Sequence, residues 1–333
     1  MQYGKASRMK LLIALSALIV SACAGSGSDS VTDPISKTPV GFDSCALARP
    51  DFGGPATQAD LALFAYDTTA PLNLQKTITN GVGAVEVSSI SYDSPAGGRV
   101  TGFLFIPLNH TGPRPAIVLM HGAPGQASDM TSYATLLATY GAVVITIDAP
   151  FARRGGDPLL LTKQDRDEHI QLQKDLQRAV DVLRAQPSVD KARIAYLGIS
   201  YGGATGALFA GIEHRIKAAA LVVPDAGSVT HATNGGSIQY LATLSCAQRA
   251  AWFHDMVPIE AIRYIGFAKG TSLLFQNGKK DEFITTADAE KLQNAAPDPK
   301  KILWYDAGHG LVQPQATNDT HDWLVQQIGL DPR

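Results

Sequence analysis

The sequence predicts an α/β protein, a doubly wound and mostly parallel sheet with an antiparallel hairpin at its N-terminal side. Three observations carry this. Short, almost wholly apolar runs bounded by turn residues recur along the chain, as strands covered on both faces require. Between two of them Leu172, Leu176, Ala179 and Leu183 repeat at helical spacing, placing an apolar stripe on a helix that packs against a sheet. A third run leads through the stretch GISYGG (198–203) into small residues, the strand-turn-helix setting of an exposed serine.

The elements follow in order. VEVSSISYDS (85–94) and RVTGFLFIPL (99–108) flank the turn-like PAGG and read as a hairpin at a sheet edge. AIVLM (116–120), AVVITI (142–147), RIAYLGI (193–199), AAALVV (218–223), SLLFQ (272–276) and ILWY (302–305) are then central strands, alternating with segments long enough for right-handed crossovers. Residues 227–270 exceed a simple crossover. Their Tyr240, Trp252, Phe253 and Tyr264 suit either packed helices or a small lid over a pocket.

Composition bounds the function. The 333 residues are 45% hydrophobic and 17% charged with a formal net charge of -2, the profile of a globular protein. The chain has no Lys/Arg-rich run, so a nucleic-acid partner is not expected. H-E-x-x-H, paired C-x-x-C and G-x-x-x-x-G-K patterns are absent too, so neither a metal nor a nucleotide cofactor is expected.

Lys5, Arg8 and Lys10 precede the uncharged stretch Leu11–Val20, a secretory signal covering residues 1–22. Val20-Ser21-Ala22-Cys23 resembles a bacterial lipobox, which implies cleavage before Cys23, lipidation of that residue and a membrane partner through the anchor. Cleavage after Ala24 by ordinary signal peptidase is the alternative, giving a soluble exported protein. Removing residues 1–22 takes away three positive side chains and leaves 25 basic against 30 acidic. Residues 23–40 are small and Pro/Gly/Ser-rich, a flexible tether, and 41–333 form a single domain. Cys45 and Cys246, left over in an oxidising compartment, read as one disulfide or as two buried thiols.

In an open α/β sheet, ligand sites form beyond the carboxyl ends of the strands. Ser200 stands at such an end. A serine hydroxyl needs a base, usually a histidine oriented by a carboxylate. Of eight histidines, His309 in YDAGHGL follows the last strand among small neighbours and is the expected base. His321 reads as helix packing, His214 as surface, and His110, His169, His231 and His254 lack a strand-end setting. Asp281 follows SLLFQ through a turn and is the expected acid; Glu282, Asp225 and Asp148 also occupy strand ends. The order Ser200, Asp281, His309 is that of α/β-hydrolases. HGAPG (121–125) follows an early strand, where this fold supplies one oxyanion donor, giving the backbone N–H groups of Ala123 and Tyr201 as the expected pair, with His121 shaping the turn.

HGAPG, GISYGG, NGKKDEF and AGHG together resemble the α/β-hydrolase superfamily over about residues 85–328, on the side of dienelactone hydrolase, acetyl esterase and prolyl-oligopeptidase relatives. The resemblance implies a serine hydrolase without a cofactor, acting on a small-molecule carboxylic ester. Three departures stand beside it. No proline follows Asp281 as in many relatives, the segment before the hairpin is too short for a propeller domain, and true dienelactone hydrolases use a cysteine nucleophile. A peptidase or amidase, and a catalytically silent envelope lipoprotein, are the competing readings.

Overall fold

The nine strands of the described chain form one sheet in the order β1-β2-β3-β5-β4-β6-β7-β8-β9. They are β1 (Gln75–Val82), β2 (Val85–Asp93), β3 (Arg99–Pro107), β4 (Arg114–Met120), β5 (Val143–Ile147), β6 (Val189–Ile199), β7 (Ala218–Val222), β8 (Ser272–Gly278) and β9 (Lys300–Tyr305). The computed structural model describes residues 49–233 and 241–333. The expected export signal, Cys23, the tether, Cys45 and Tyr240 lie outside the described residues.

Strands β1, β2 and β3 run antiparallel, and β3 joins the remainder by antiparallel pairing with β5. From β5 through β4, β6, β7, β8 and β9 all pairing is parallel. The 85–94/99–108 hairpin is therefore present but does not form the edge, because β1 pairs outside it. β1 gives no apolar pattern since it needs none. Its Ile78 is 63% exposed, and polar residues fill most of the rest.

The central strands separate two apolar layers. Along β4, Ala116, Val118 and Met120 join one buried cluster while Ile117 and Leu119 join the other, the period of two expected of an extended strand covered on both faces. On the first face lie α4 (Lys163–Ala185) and α5 (Tyr201–Ile212), and the predicted stripe Leu172, Leu176, Ala179 and Leu183 is fully buried there. On the second face α2 (Thr131–Thr139) and α9 (Pro314–Ile328) supply Leu137, Trp323, Leu324 and Ile328. Short helices α1 (Gln58–Ala62) and α3 (Pro150–Arg154) complete the N-terminal half, and α8 (Thr286–Ala295) is the crossover from β8 to β9.

Within 227–270, α6 (Ser228–Ala232) and α7 (Cys246–Met256) are followed by three single 3₁₀ turns. Trp252, Met256 and Tyr264 are buried in the same cluster as α4. The Trp252 indole N–H donates to Asp165 at 2.8 Å, and Asp165 also accepts the Thr162 N–H that closes the capping box of α4. One carboxylate thus starts a helix and docks α7 onto it. Cys246, at the first turn of α7, is in a disulfide. The described residues form one compact unit, and among them no helix is long and apolar enough to cross a membrane.

Candidate active site

Ser200 stands where β6 turns into α5, with φ 56° and ψ -116°, a conformation that costs a non-glycine residue energy and persists only where packing imposes it. The packing is visible at the motif's glycines. A Cβ on Gly198 would fall 2.2 Å from the Gly202 carbonyl oxygen, and one on Gly202 would fall 2.6 Å from that of Met120. Neither position accepts a side chain. The strand and the helix can close to this distance only as glycines, and the closure lifts the serine out of the sheet.

The Ser200 hydroxyl lies 2.7 Å from His309 Nε2. On the other side of the ring, Nδ1 lies 2.9 Å from Asp281 Oδ2 and 3.1 Å from Oδ1. Asp281 is nearly buried and its Oδ1 accepts the N–H groups of Phe283 and Ile284, both at 2.9 Å, so the carboxylate is fixed by its own turn. Glu282 does different work: its Oε2 accepts the His309 N–H at 3.0 Å and holds the loop, not the ring. The β8 and β9 loops are also stitched by Lys279 N–H to the Tyr305 carbonyl and Lys280 N–H to the Ala307 carbonyl. The structure therefore brings Ser200, Asp281 and His309 together from three strand ends.

The HGAPG loop runs beside the serine, since a Cβ at Gly122 would lie 3.4 Å from Ser200 Cβ. His121 is buried. Its Nε2 accepts the Ala149 N–H at 3.1 Å, which leaves the proton on Nδ1, and Nδ1 donates to the Gly122 carbonyl at 2.7 Å. The Gly125 N–H binds the same carbonyl at 2.9 Å. In a trans peptide the N–H opposes the C=O, so this double grip turns the Ala123 N–H away from the His121 ring. The Tyr201 N–H opens α5, where an amide has no acceptor within the helix. Burial depresses the His121 imidazole below its usual range, against the opposing pull of the Gly122 carbonyl, Asp148 and Asp129.

Asp148 and Asp225, the other strand-end carboxylates, have different partners. Asp148 accepts the Ala127 N–H at 2.8 Å and the Thr101 hydroxyl at 2.5 Å, tying the loop after HGAPG to β3. Asp225 Oδ2 lies 2.8 Å from His231 Nδ1 on α6. Burial pulls the His231 imidazole down, yet the bonded Asp225 carboxylate, with Asp281 nearby, outweighs it and raises the affinity for a proton. Fully buried Glu260 accepts the Val229 N–H at 2.8 Å and so anchors the start of α6; burial pushes its carboxyl up to about 8, with Asp225 adding to the rise and the Val229 and Thr230 donors opposing it.

His169, on α4, is buried against the Tyr201 ring and pushed down to about 4 by that burial, so it is neutral near pH 7. Phe151 packs edge-on against both Tyr201 and His121. Arg153 and Arg154 are drawn into ion pairs with Asp175 and Glu168. Sequence reasoning passes over His169, His231 and Glu260, because none stands at a strand end. The one available signal is Asp225 itself, a strand-end carboxylate with a histidine six residues on. Among the described residues no group of His, Cys, Asp and Glu could hold a metal ion.

The profile of the acetyl xylan esterase family matches residues 66–232, half of the chain, a span that contains the HGAPG loop and Ser200 and ends before Asp281 and His309. The acetyl xylan esterase of Paenibacillus sp. R4 superposes with a TM-score of 0.70 at 20% identity, over 84% of this chain and 97% of that one. Acetyl xylan esterase 1 of Thermoanaerobacterium sp. JW/SL YS485 gives 0.68 at 16% identity, over 82% and 95%. At those identities the likeness is one of fold. An uncharacterised Pseudomonas aeruginosa protein is 25% identical over 176 residues, which span 52% of this chain and only 43% of that relative. With half its length matched by the family's profile, and that half holding Ser200 and the HGAPG loop, the chain belongs to the acetyl xylan esterase family and is a carboxylic ester hydrolase of the serine type.

Proposed function

We propose that the chain removes short acyl groups, acetyl foremost, from hydroxyl-bearing alcohols through an acyl-enzyme on Ser200. The observation that carries the reading is the continuous contact from Ser200 through His309 to Asp281. Ser200 Oγ attacks the ester carbonyl as His309 Nε2 takes its proton, and Asp281 holds the ring and stabilises the imidazolium. The Ala123 and Tyr201 N–H groups receive the oxyanion. His309 then returns the proton to the departing alcohol, and a water, activated by the same ring, releases the acid. The family description supports acetyl as the acyl group and an acetylated sugar polymer as the source.

Ser200→Ala decides the matter. The folded variant should lose the burst with 4-nitrophenyl acetate, its labelling by a fluorophosphonate, and about 10⁴-fold or more in kcat; a variant that still turns over would sink the mechanism. The same reading places the protein at the cell envelope, exported by residues 1–22, lipidated on Cys23 and stapled by a Cys45–Cys246 bridge. Support comes from the Val20–Cys23 pattern and from the disulfide at Cys246. Incorporation of labelled fatty acid that survives Cys23→Ala would refute the anchor.

A further inference from the structure

A serine hydrolase gives its geometry a direction. The histidine that accepts the serine proton must hand it to the leaving oxygen, so the departing alcohol lies on the flank of that histidine while the oxyanion lies against the backbone donors. On the His309 flank stands Phe283, edge-on to the imidazole with ring centres 5.1 Å apart and planes at 71°. Beyond it the His231 ring lies nearly parallel to Phe283, 6.3 Å away and at 22°. Both rings are partly exposed, the His231 side chain to 37%.

His231 is held from beneath. Asp225, whose side chain is 7% exposed, bonds Nδ1 with one carboxylate oxygen and accepts the Gly227 N–H with the other at 3.1 Å. Glu260 fixes the first turn of α6 that carries the ring. Two buried carboxylates therefore secure one surface imidazole, a larger commitment than a solvated helix face requires. Asp225 lies within hydrogen-bond reach of the imidazole as a built-in counter-ion, so the ring presents no uncompensated positive charge for an anionic partner.

We propose that Phe283, backed by the His231 ring stacked on it, forms the leaving-group subsite, an aromatic platform on which a cyclic, uncharged alcohol such as a pyranose packs its C–H face while His309 protonates the departing oxygen. The platform rests on the ester-hydrolase reading and adds to it the residues that choose the alcohol. Asp225 is a positioning residue within it, acting through His231. Linear alcohols cover less of the aromatic surface and gain less.

The test compares kcat/KM for a mono-O-acetylated methyl pyranoside with that for a linear acetate of similar size, in wild type, His231→Leu and Phe283→Leu. The platform requires the pyranoside-over-linear ratio to fall about three- to tenfold in each variant, the span that aromatic contacts produce, with Phe283→Tyr restoring it. Equal losses on both substrates, or an unchanged ratio, overturn it. If His231→Leu does not fold, Phe283→Leu and Phe283→Tyr decide alone. Wild-type protein that hydrolyses neither acetate and leaves Ser200 unlabelled would instead remove the underlying esterase reading, and the platform with it.

Discussion

Replacing His121 with leucine should damage catalysis without touching the triad. The imidazole makes two buried hydrogen bonds, to the Ala149 N–H and to the Gly122 carbonyl. Leucine fills a similar volume and makes neither. The Gly122 carbonyl keeps its Gly125 donor, whereas the Ala149 N–H is orphaned, so stability should fall by about 1–3 kcal/mol. The larger effect is kinetic. With one of two grips gone, the Gly122–Ala123 peptide can rotate and its N–H leaves the oxyanion; since losing one such donor costs about 10²–10³ in kcat, a partial loss should cost roughly 10- to 100-fold.

The assay is kcat and KM on 4-nitrophenyl acetate, together with the inhibition constant of a trifluoromethyl ketone that forms a tetrahedral adduct. The ketone's affinity should fall in step with kcat while KM changes little, and His121→Asn, which can still donate to Gly122, should recover part of both. A folded His121→Leu protein with kcat within about twofold of wild type would refute the positioning argument. Acid should act in the same direction. The folded-state imidazole is depressed below its ordinary range, so its contribution to stability is present above the unfolded value of about 6.5 and is lost as pH falls through the folded one.

Two further outcomes separate the roles of the carboxylates. Asp281→Asn should cost about 10⁴-fold in kcat, because an amide favours the wrong tautomer of the base, while Asp225→Asn costs far less on a linear acetate; the reverse ranking would reassign the acid. Glu260→Gln should remove a pH dependence of stability. Burial raises the Glu260 carboxyl to about 8 in the fold against an ordinary 4.5, so the stability it supplies is complete below 4.5 and declines as pH rises to about 8, by something on the order of 5 kcal/mol. Denaturant midpoints of the two proteins at pH 5 and pH 8 measure it, and parallel midpoints would contradict it.

The parts of the fold legible in the sequence are those where burial is two-sided. β4, β5 and β7 read as almost wholly apolar runs, with Thr146 the one polar residue within β5, because water touches neither face, and α4 betrays itself by its stripe. β1 stays hidden because an exposed edge strand imposes no pattern on its residues. At the site, Ser200, His309 and Asp281 are legible since strand ends in this fold converge. Strand-end position alone does not separate Asp281 from Asp225, because each carboxylate holds a histidine; only the three-dimensional pairing tells which imidazole reaches the serine. His231 and Glu260 are illegible for the same reason. The first rides a five-residue helix and the second acts on that helix from 31 residues away, distances that no local spacing encodes.

His309 hangs just beyond β9, the edge strand opposite β1, which pairs with β8 alone and buries only Tyr305. Strands of this kind open locally at a smaller free-energy cost than the core. On heating, the base should therefore part from the nucleophile while the tryptophans on α7 and α9 still report a folded interior. Thermal inactivation would then run ahead of melting, and be reversible for as long as only that margin has opened. The working temperature should then be set by this edge, and strengthening the β8–β9 seam should raise it without any change to the core.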